Sequence, residues 1–254
     1  MMSMENTDVE WEKFGAQDPY YGVLTDDKFK SSNLNDLALA EFFESGEAYV
    51  DELFTTIRRL YQHSQNPKKI LDFGCGVGRL VIPFSKRSEF VVGIDVSESM
   101  LKEAAKNCAG RSITNVRFVR SDDDLNGVAE QFDFVHSYIV FQHIPVPYGE
   151  KTVRRLLDLL ARGGIGALHF TYARIGYQPR LRIPGFIKRV VPYYDILRKV
   201  CKGIPLSRPE LRMYGYNINQ LLQIFQMNGV HEIHAQFTKH QVHLGVILFF
   251  KKET

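Results

Sequence analysis

Short apolar runs alternate with amphipathic stretches from Pro67 onward. The runs are Lys69 to Phe73, Phe90 to Ile94, Val116 to Val119, Phe132 to His136 and Ile165 to Phe170. Between them, Val77 to Lys86, Ser97 to Asn107 and Glu150 to Ala161 place apolar residues at helical spacing. Strands that alternate with helices at this rhythm predict a parallel sheet covered on both faces. The tail breaks the rhythm. After a helix near Asn217 to Met227, two extended runs, Val230 to Thr238 and Val242 to Phe250, are joined only by Lys239 to Gln241. So short a link cannot make a parallel crossover, so the pair is expected as an antiparallel hairpin at the sheet edge.

Ahead of the sheet, Leu37, Leu39, Phe42, Phe43, Val50, Leu53, Phe54, Ile57 and Leu60 predict one or two helices up to His63. The opening stretch WEKFGAQDPYYGVLTDDKF is aromatic and turn-rich without clean periodicity, and reads as an irregular arm on the body. The expected architecture is α/β: a doubly wound, mostly parallel seven-stranded sheet with an antiparallel C-terminal hairpin, an N-terminal helical arm and a basic insertion after strand five. Residues 1–66 form the arm and covering helices, and 67–254 the main domain.

Composition adds limits. With 44% apolar and 24% charged residues, the chain reads as an ordinary globular protein, and no run reaches the roughly 18 apolar residues of a membrane span. The acidic N-terminus lacks the apolar core of a secretory leader. Cys75, Cys108 and Cys201 are scattered without metal or disulfide spacing, so no metal site is expected and a cytoplasmic setting is. The net charge of +3 is uneven: residues 172–212 hold ten basic and two acidic residues, leaving −5 on the remainder. Five prolines cut this insertion, bounded at about 172–216, so it reads as a lid with little regular structure. Its basic and apolar residues suit an anionic small molecule or peripheral contact with an acidic membrane. A solvated basic lid is the plainer reading.

Chemistry is expected where parallel strands end. In ILDFGCGVGRL, Gly74, Gly76 and Gly78 follow strand one and bare the backbone to a close approach, with free N–H groups at the start of the next helix. Asp95 ends strand two, 21 positions after Gly74, the place of a carboxylate that accepts ribose hydroxyls. A dinucleotide fingerprint requires Gly or Ala at the sixth position, where this chain has Arg79. Asp72 would also repel a pyrophosphate, so an amine-bearing or cationic nucleoside fits better.

With these motifs in order, the chain resembles the seven-stranded class I S-adenosylmethionine-dependent methyltransferases from about Lys68 to Phe170. The matching segments are ILDFGCGVG, VVGIDVSESML, VRFVRSDDDL, FDFVHSYIVFQHIP and LLARGGIGALHF. The resemblance implies S-adenosylmethionine as cofactor. Asp72 and the loop Gly74, Cys75, Gly76, Gly78 would hold its methionine portion and Asp95 its ribose. Val96 and Met100 would pack on the adenine, Asp122 and Asp123 would bind the adenine edge, and Ser137 and Tyr138 would lie near the methyl group. Cys75 itself reads as a space-filler. His143, in the loop after strand four, is the candidate base, with His169 and Tyr172 as further acceptor-facing candidates. Tyr20 or Tyr21 of the arm is expected to fold over cofactor or acceptor, or else to pin the arm.

HSYI stands where DNA amino-methylating enzymes carry D/N-P-P-Y/F, no cysteine follows a proline, and no acids after strand four suit a divalent cation. The expected activity is therefore methyl transfer to oxygen or nitrogen of a small molecule. Nucleic-acid methylation and a catalytically silent cofactor binder are the alternatives. The oligomeric state is open.

Overall fold

A computed structural model describes residues 5–62, 66–122, 124–176 and 212–253. Asp123 and residues 177–211, with Cys201 and most of the basic insertion, lie outside the described residues.

The sheet strands are β1 (Lys69–Phe73), β2 (Phe90–Asp95), β3 (Val116–Arg120), β4 (Phe132–Ser137), β5 (Leu160–Arg174), β6 (Glu232–His240) and β7 (His243–Lys251). They lie in the order β3-β2-β1-β4-β5-β7-β6. The first five run parallel, while β7 is antiparallel to both β5 and β6. The hairpin inserts its second strand inward. β7 is buried almost throughout and β6 is largely exposed, so the apolar strand takes the protected place and the polar one the edge. The winding reverses between β1 and β4, which opens a crevice at their carboxyl ends.

Period-two alternation divides the core between the two faces. Ile70, Val91, Phe134, Ile165, Ala167, Ile247 and Phe249 meet one set of helices: α3 (Asp36–Tyr61), the short α4 (Val81–Ser85) and α5 (Glu98–Ala109). Leu71, Val92, Ile94, Val135, Leu168, Val246, Leu248 and Phe250 meet α6 (Val146–Leu159) and α7 (Ile218–Met227) on the other face. Gly166 leaves space for the Phe250 ring, which would lie 2.0 Å from a Cβ there.

α3 buries Ala38, Phe42, Phe43, Gly46, Val50, Leu53, Phe54 and Ile57 along one stripe. Asn35 caps it by accepting from the Ala38 N–H, and Arg58 and Arg59 lie in its last turn, where cations favour the helix dipole. The arm is helical as the expected architecture has it, and only the opening stretch differs from its irregular reading: it forms α1 (Glu5–Gln17) and α2 (Pro19–Val23). Docking replaces amphipathicity as the cause: Glu12 of α1 accepts from the Ser97 hydroxyl at 2.8 Å and from the Ser99 amide at 3.3 Å, at the start of α5. The helix after the glycine loop is also shorter than the expected 77–86. Gly78 adopts φ +83°, outside helical space, so the helix begins only after the loop.

Candidate active site

Gly74, Gly76 and Gly78 all have positive φ, which explains glycine at each turn of the loop. The loop is packed by the protein itself. A Cβ on Gly74 would meet Val140 at 2.2 Å, and one on Gly76 would meet Val23 at 2.7 Å. Its amides are not free as expected. Those of Gly74 and Cys75 donate to the Ile94 carbonyl, that of Gly78 to the Cys75 carbonyl, and that of Gly76 to Asp95 Oδ2 at 2.9 Å. The turn binds the end of β2 before it binds anything else.

Asp95 also accepts from the Ser97 amide at 2.9 Å, one donor on each carboxylate oxygen. Each oxygen retains a lone pair for a further donor. Burial is the first cause that pushes its carboxyl up, to about 6, against the lowering by amides of Ser97, Gly76 and Val96. Val96 is half-buried beside it. Met100 is buried beneath the arm, where its side chain limits the space over Gly15 and Gly22. Cys75 turns inward against Gly93, and burial raises its thiol well above the usual range, so it fills space and offers a ligand only its backbone.

Asp122 is exposed after β3, and its carboxylate closes its own turn by accepting from Asp124 N, Asn126 N and Asn126 Nδ2. Ser137 is buried, and its hydroxyl donates to the Phe73 carbonyl at 2.9 Å, tying the ends of β4 and β1. Tyr138 stacks on Tyr49 of α3 with centroids 4.4 Å apart and lies 5.2 Å from the His169 ring. The next residue, Ile139, takes φ +61°. That is a strained conformation for a β-branched side chain, costing about 1–3 kcal/mol, and it turns the chain so that Val140 covers Gly74.

His143 ends a 3-10 turn, Phe141–His143, and is buried. Nδ1 faces the Arg212 carbonyl at 3.2 Å, so it carries the proton, and Nε2 accepts from the Gln142 amide at 3.1 Å. Burial pulls its pKa down to about 4, which keeps the imidazole neutral. Trp11 of α1 packs edge-on against it at 5.2 Å. α1 thus reaches from the start of α5 across the carboxyl edge to the loop after β4.

Tyr20 does not cover the site. It is buried against Phe42 and Phe43, and its hydroxyl donates to Glu103 at 2.8 Å and Asn107 at 3.0 Å. Asn107 in turn donates to the Val77 carbonyl, which couples the arm to the glycine loop. The pinning role holds for Tyr20. Tyr21 lies half-buried under Lys30.

Sequence reading gave no role to Tyr49 and His136. Asp72 Oδ1 lies 2.8 Å from His136 Nδ1, and Tyr49 reaches His136 Nε2 at 3.0 Å. Two charged groups nearby keep buried polar atoms without partners: Asp72 Oδ2 and Arg79 Nε. A ligand with both donors and acceptors suits that pattern. Among the described residues no cluster of His, Cys, Asp and Glu suits a metal, and no helix is long and apolar enough to cross a membrane.

Crevice, glycine turn and acidic strand end all lie within residues 70–164, which match the family described as a methyltransferase domain. Among curated proteins the chain is similar to the ubiquinone biosynthesis O-methyltransferase of Coxiella burnetii, 29% identical over 142 residues, which cover 54% of this chain and 59% of the relative. Among solved structures, magnesium protoporphyrin IX methyltransferase (ChlM) from Synechocystis with bound S-adenosylhomocysteine superposes with a TM-score of 0.64 at 20% identity. That match covers 98% of this chain and 100% of the other. The N-methyltransferase NodS from Bradyrhizobium japonicum gives 0.59 at 15% identity, over 98% and 100%.

Proposed function

We propose that the protein transfers a methyl group from S-adenosylmethionine to oxygen or nitrogen of a small molecule. The supporting observation is the Asp95 carboxylate beside the Gly76 turn, at the crevice of a methyltransferase domain. Similarity to a protein named as a ubiquinone biosynthesis O-methyltransferase supports the same reading, and the structures named as a magnesium protoporphyrin IX methyltransferase and an N-methyltransferase share the fold. In this reading Asp95 accepts the ribose hydroxyls, Val96 and Met100 border the adenine, the 74–78 turn and Asp72 hold the methionine end, and Asp122 borders the adenine edge.

When bound, the cofactor's sulfonium supplies an already activated methyl group, so the protein's tasks are alignment and proton removal. Ser137 and Tyr138 border the transfer path. His143 is the proposed base: its Nδ1–H is fixed by the Arg212 carbonyl, and an acceptor hydroxyl or ammonium would replace the Gln142 amide at Nε2. α1 closes over the site and excludes water.

Calorimetric titration with S-adenosylhomocysteine, then release of that product across a panel of phenols, amines, carboxylates and oligonucleotides, tests the reading. Micromolar binding and turnover with a small acceptor are expected, and His143→Asn should lower kcat by about 10²-fold or more. Binding of NAD in place of S-adenosylhomocysteine would overturn the cofactor. Binding without turnover on any acceptor would favour the silent binder.

A further inference from the structure

On the α3-facing side of the sheet, alternate positions are apolar until the strands end. There the same alternation that buries Ile70 and Phe134 delivers Asp72 and His136, which are direct partners in the β1–β4 register. Both are almost fully buried. A carboxylate oxygen only accepts, so His136 Nδ1–H donates to Asp72 Oδ1, and the Tyr49 hydroxyl donates to the free Nε2. The result is a one-way chain from α3 to the end of β1, in a dry setting where each bond has a strong orienting effect.

The chain leaves one valence open, Asp72 Oδ2. Close by is Arg79, 7% exposed, whose charge interacts with Asp72, Tyr49 and Tyr138. Among the described residues its one hydrogen bond to a side chain is a long one from Nη1 to Ser45 Oγ at 3.3 Å, and Nε has no partner. Among the described residues no ion pair joins Arg79 to a carboxylate. Through α3, where Ser45 accepts from Arg79 one turn before Tyr49 reaches the His136–Asp72 pair, a buried guanidinium and a buried carboxylate share this region, each with an open atom. Such an arrangement is costly when empty and complementary to a molecule bearing an ammonium and a carboxylate on one carbon. α3 fits closely here, since a Cβ on Gly46 would lie 2.4 Å from the Arg79 carbonyl.

We propose that Tyr49 and His136 are positioning residues that fix the Asp72 carboxylate through Oδ1, so that its open Oδ2 and Arg79 together receive the zwitterionic amino-acid end of the cofactor. This rests on the cofactor reading above. Without the His136 donor, Asp72 Oδ1 loses its anchor, the carboxylate turns freely and the receptor loses its shape.

The test compares two ligands on the full chain by isothermal titration calorimetry: S-adenosylhomocysteine, and 5′-methylthioadenosine, which keeps the nucleoside and sulfur but lacks the amino acid. Wild type should prefer the former. Tyr49→Phe, which keeps the ring on Tyr138, should weaken S-adenosylhomocysteine about 3- to 10-fold, and His136→Ala about 10-fold or more. Methylthioadenosine should stay within about twofold in both. His136→Asn, whose amide can still donate to Asp72, should recover part of the loss. Equal weakening of both ligands would show a merely structural role and overturn the proposal, as would unchanged S-adenosylhomocysteine affinity. Equal wild-type affinity for the two ligands would overturn the amino-acid receptor and leave the nucleoside site standing. Wild type that binds neither would overturn the cofactor reading itself, and the receptor with it.

Discussion

Asp95 ties the glycine turn to the end of β2 and is also the proposed ribose ligand, so its protonation bears on both fold and binding. Its carboxyl is raised to about 6, first by burial, from an ordinary value of 3.8. An acid whose pKa rises on folding holds its proton more tightly in the folded chain, so its stabilising contribution is complete below about pH 4 and is lost as pH climbs through 6. The apo protein should therefore lose melting temperature between pH 4 and 6.5 relative to Asp95→Asn, measured by scanning calorimetry. Under the proposed role of Asp95 ligand binding has the opposite slope, because ribose hydroxyls would donate best to the ionised carboxylate. S-adenosylhomocysteine affinity should rise about tenfold from pH 5 to 7.5 in wild type and stay flat in Asp95→Asn. Asp95 and the three glycines were legible because spacing along the chain places them at strand ends. The Asp72–His136–Tyr49 chain was not, since it joins residues 64 and 87 positions apart, and only the strand register and the α3 contact bring them together.

At the level of elements, α1 has a different standing from α3. α3 is stitched into the core by a stripe of aromatic and aliphatic residues, whereas α1 is held by Glu12 on the Ser97–Ser99 turn and by Trp11 against His143. Burial would raise the Glu12 carboxyl, but hydrogen bonds from Ser99 and Ser97 outweigh it and hold it low. A chain lacking residues 1–17 keeps Tyr20 and should remain folded. It should release S-adenosylhomocysteine about tenfold faster in stopped-flow chase experiments and turn over more slowly, because the cover over the crevice is gone. An unchanged release rate would show that α1 is only packed there. Periodicity found α3 and missed α1, since the few polar contacts that hold α1 leave no repeating trace.

For the molecule as a whole, stability depends on the sheet being covered on both faces, and β7 is central to the second. Phe250 is fully buried, packs edge-on to Phe225 at 4.6 Å and fills the space over Gly166. Phe250→Ala should cost about 3–5 kcal/mol, read from the shift in urea midpoint at constant slope. The inward placement of β7 was only half legible: the three-residue link between the runs requires an antiparallel pair, but which strand takes the edge depends on what β5 and α7 offer as neighbours. The amino-acid sequence by itself determined the α/β class, the strand and helix rhythm, the glycine turn and the acid that ends β2, because each is written in local spacing and residue type. The tertiary structure alone decided that the turn's amides are engaged with β2, that Tyr20 pins the arm, and that Asp72 and Arg79 are both buried with an open atom each. These follow from register and helix docking, which bring together residues that no local pattern connects.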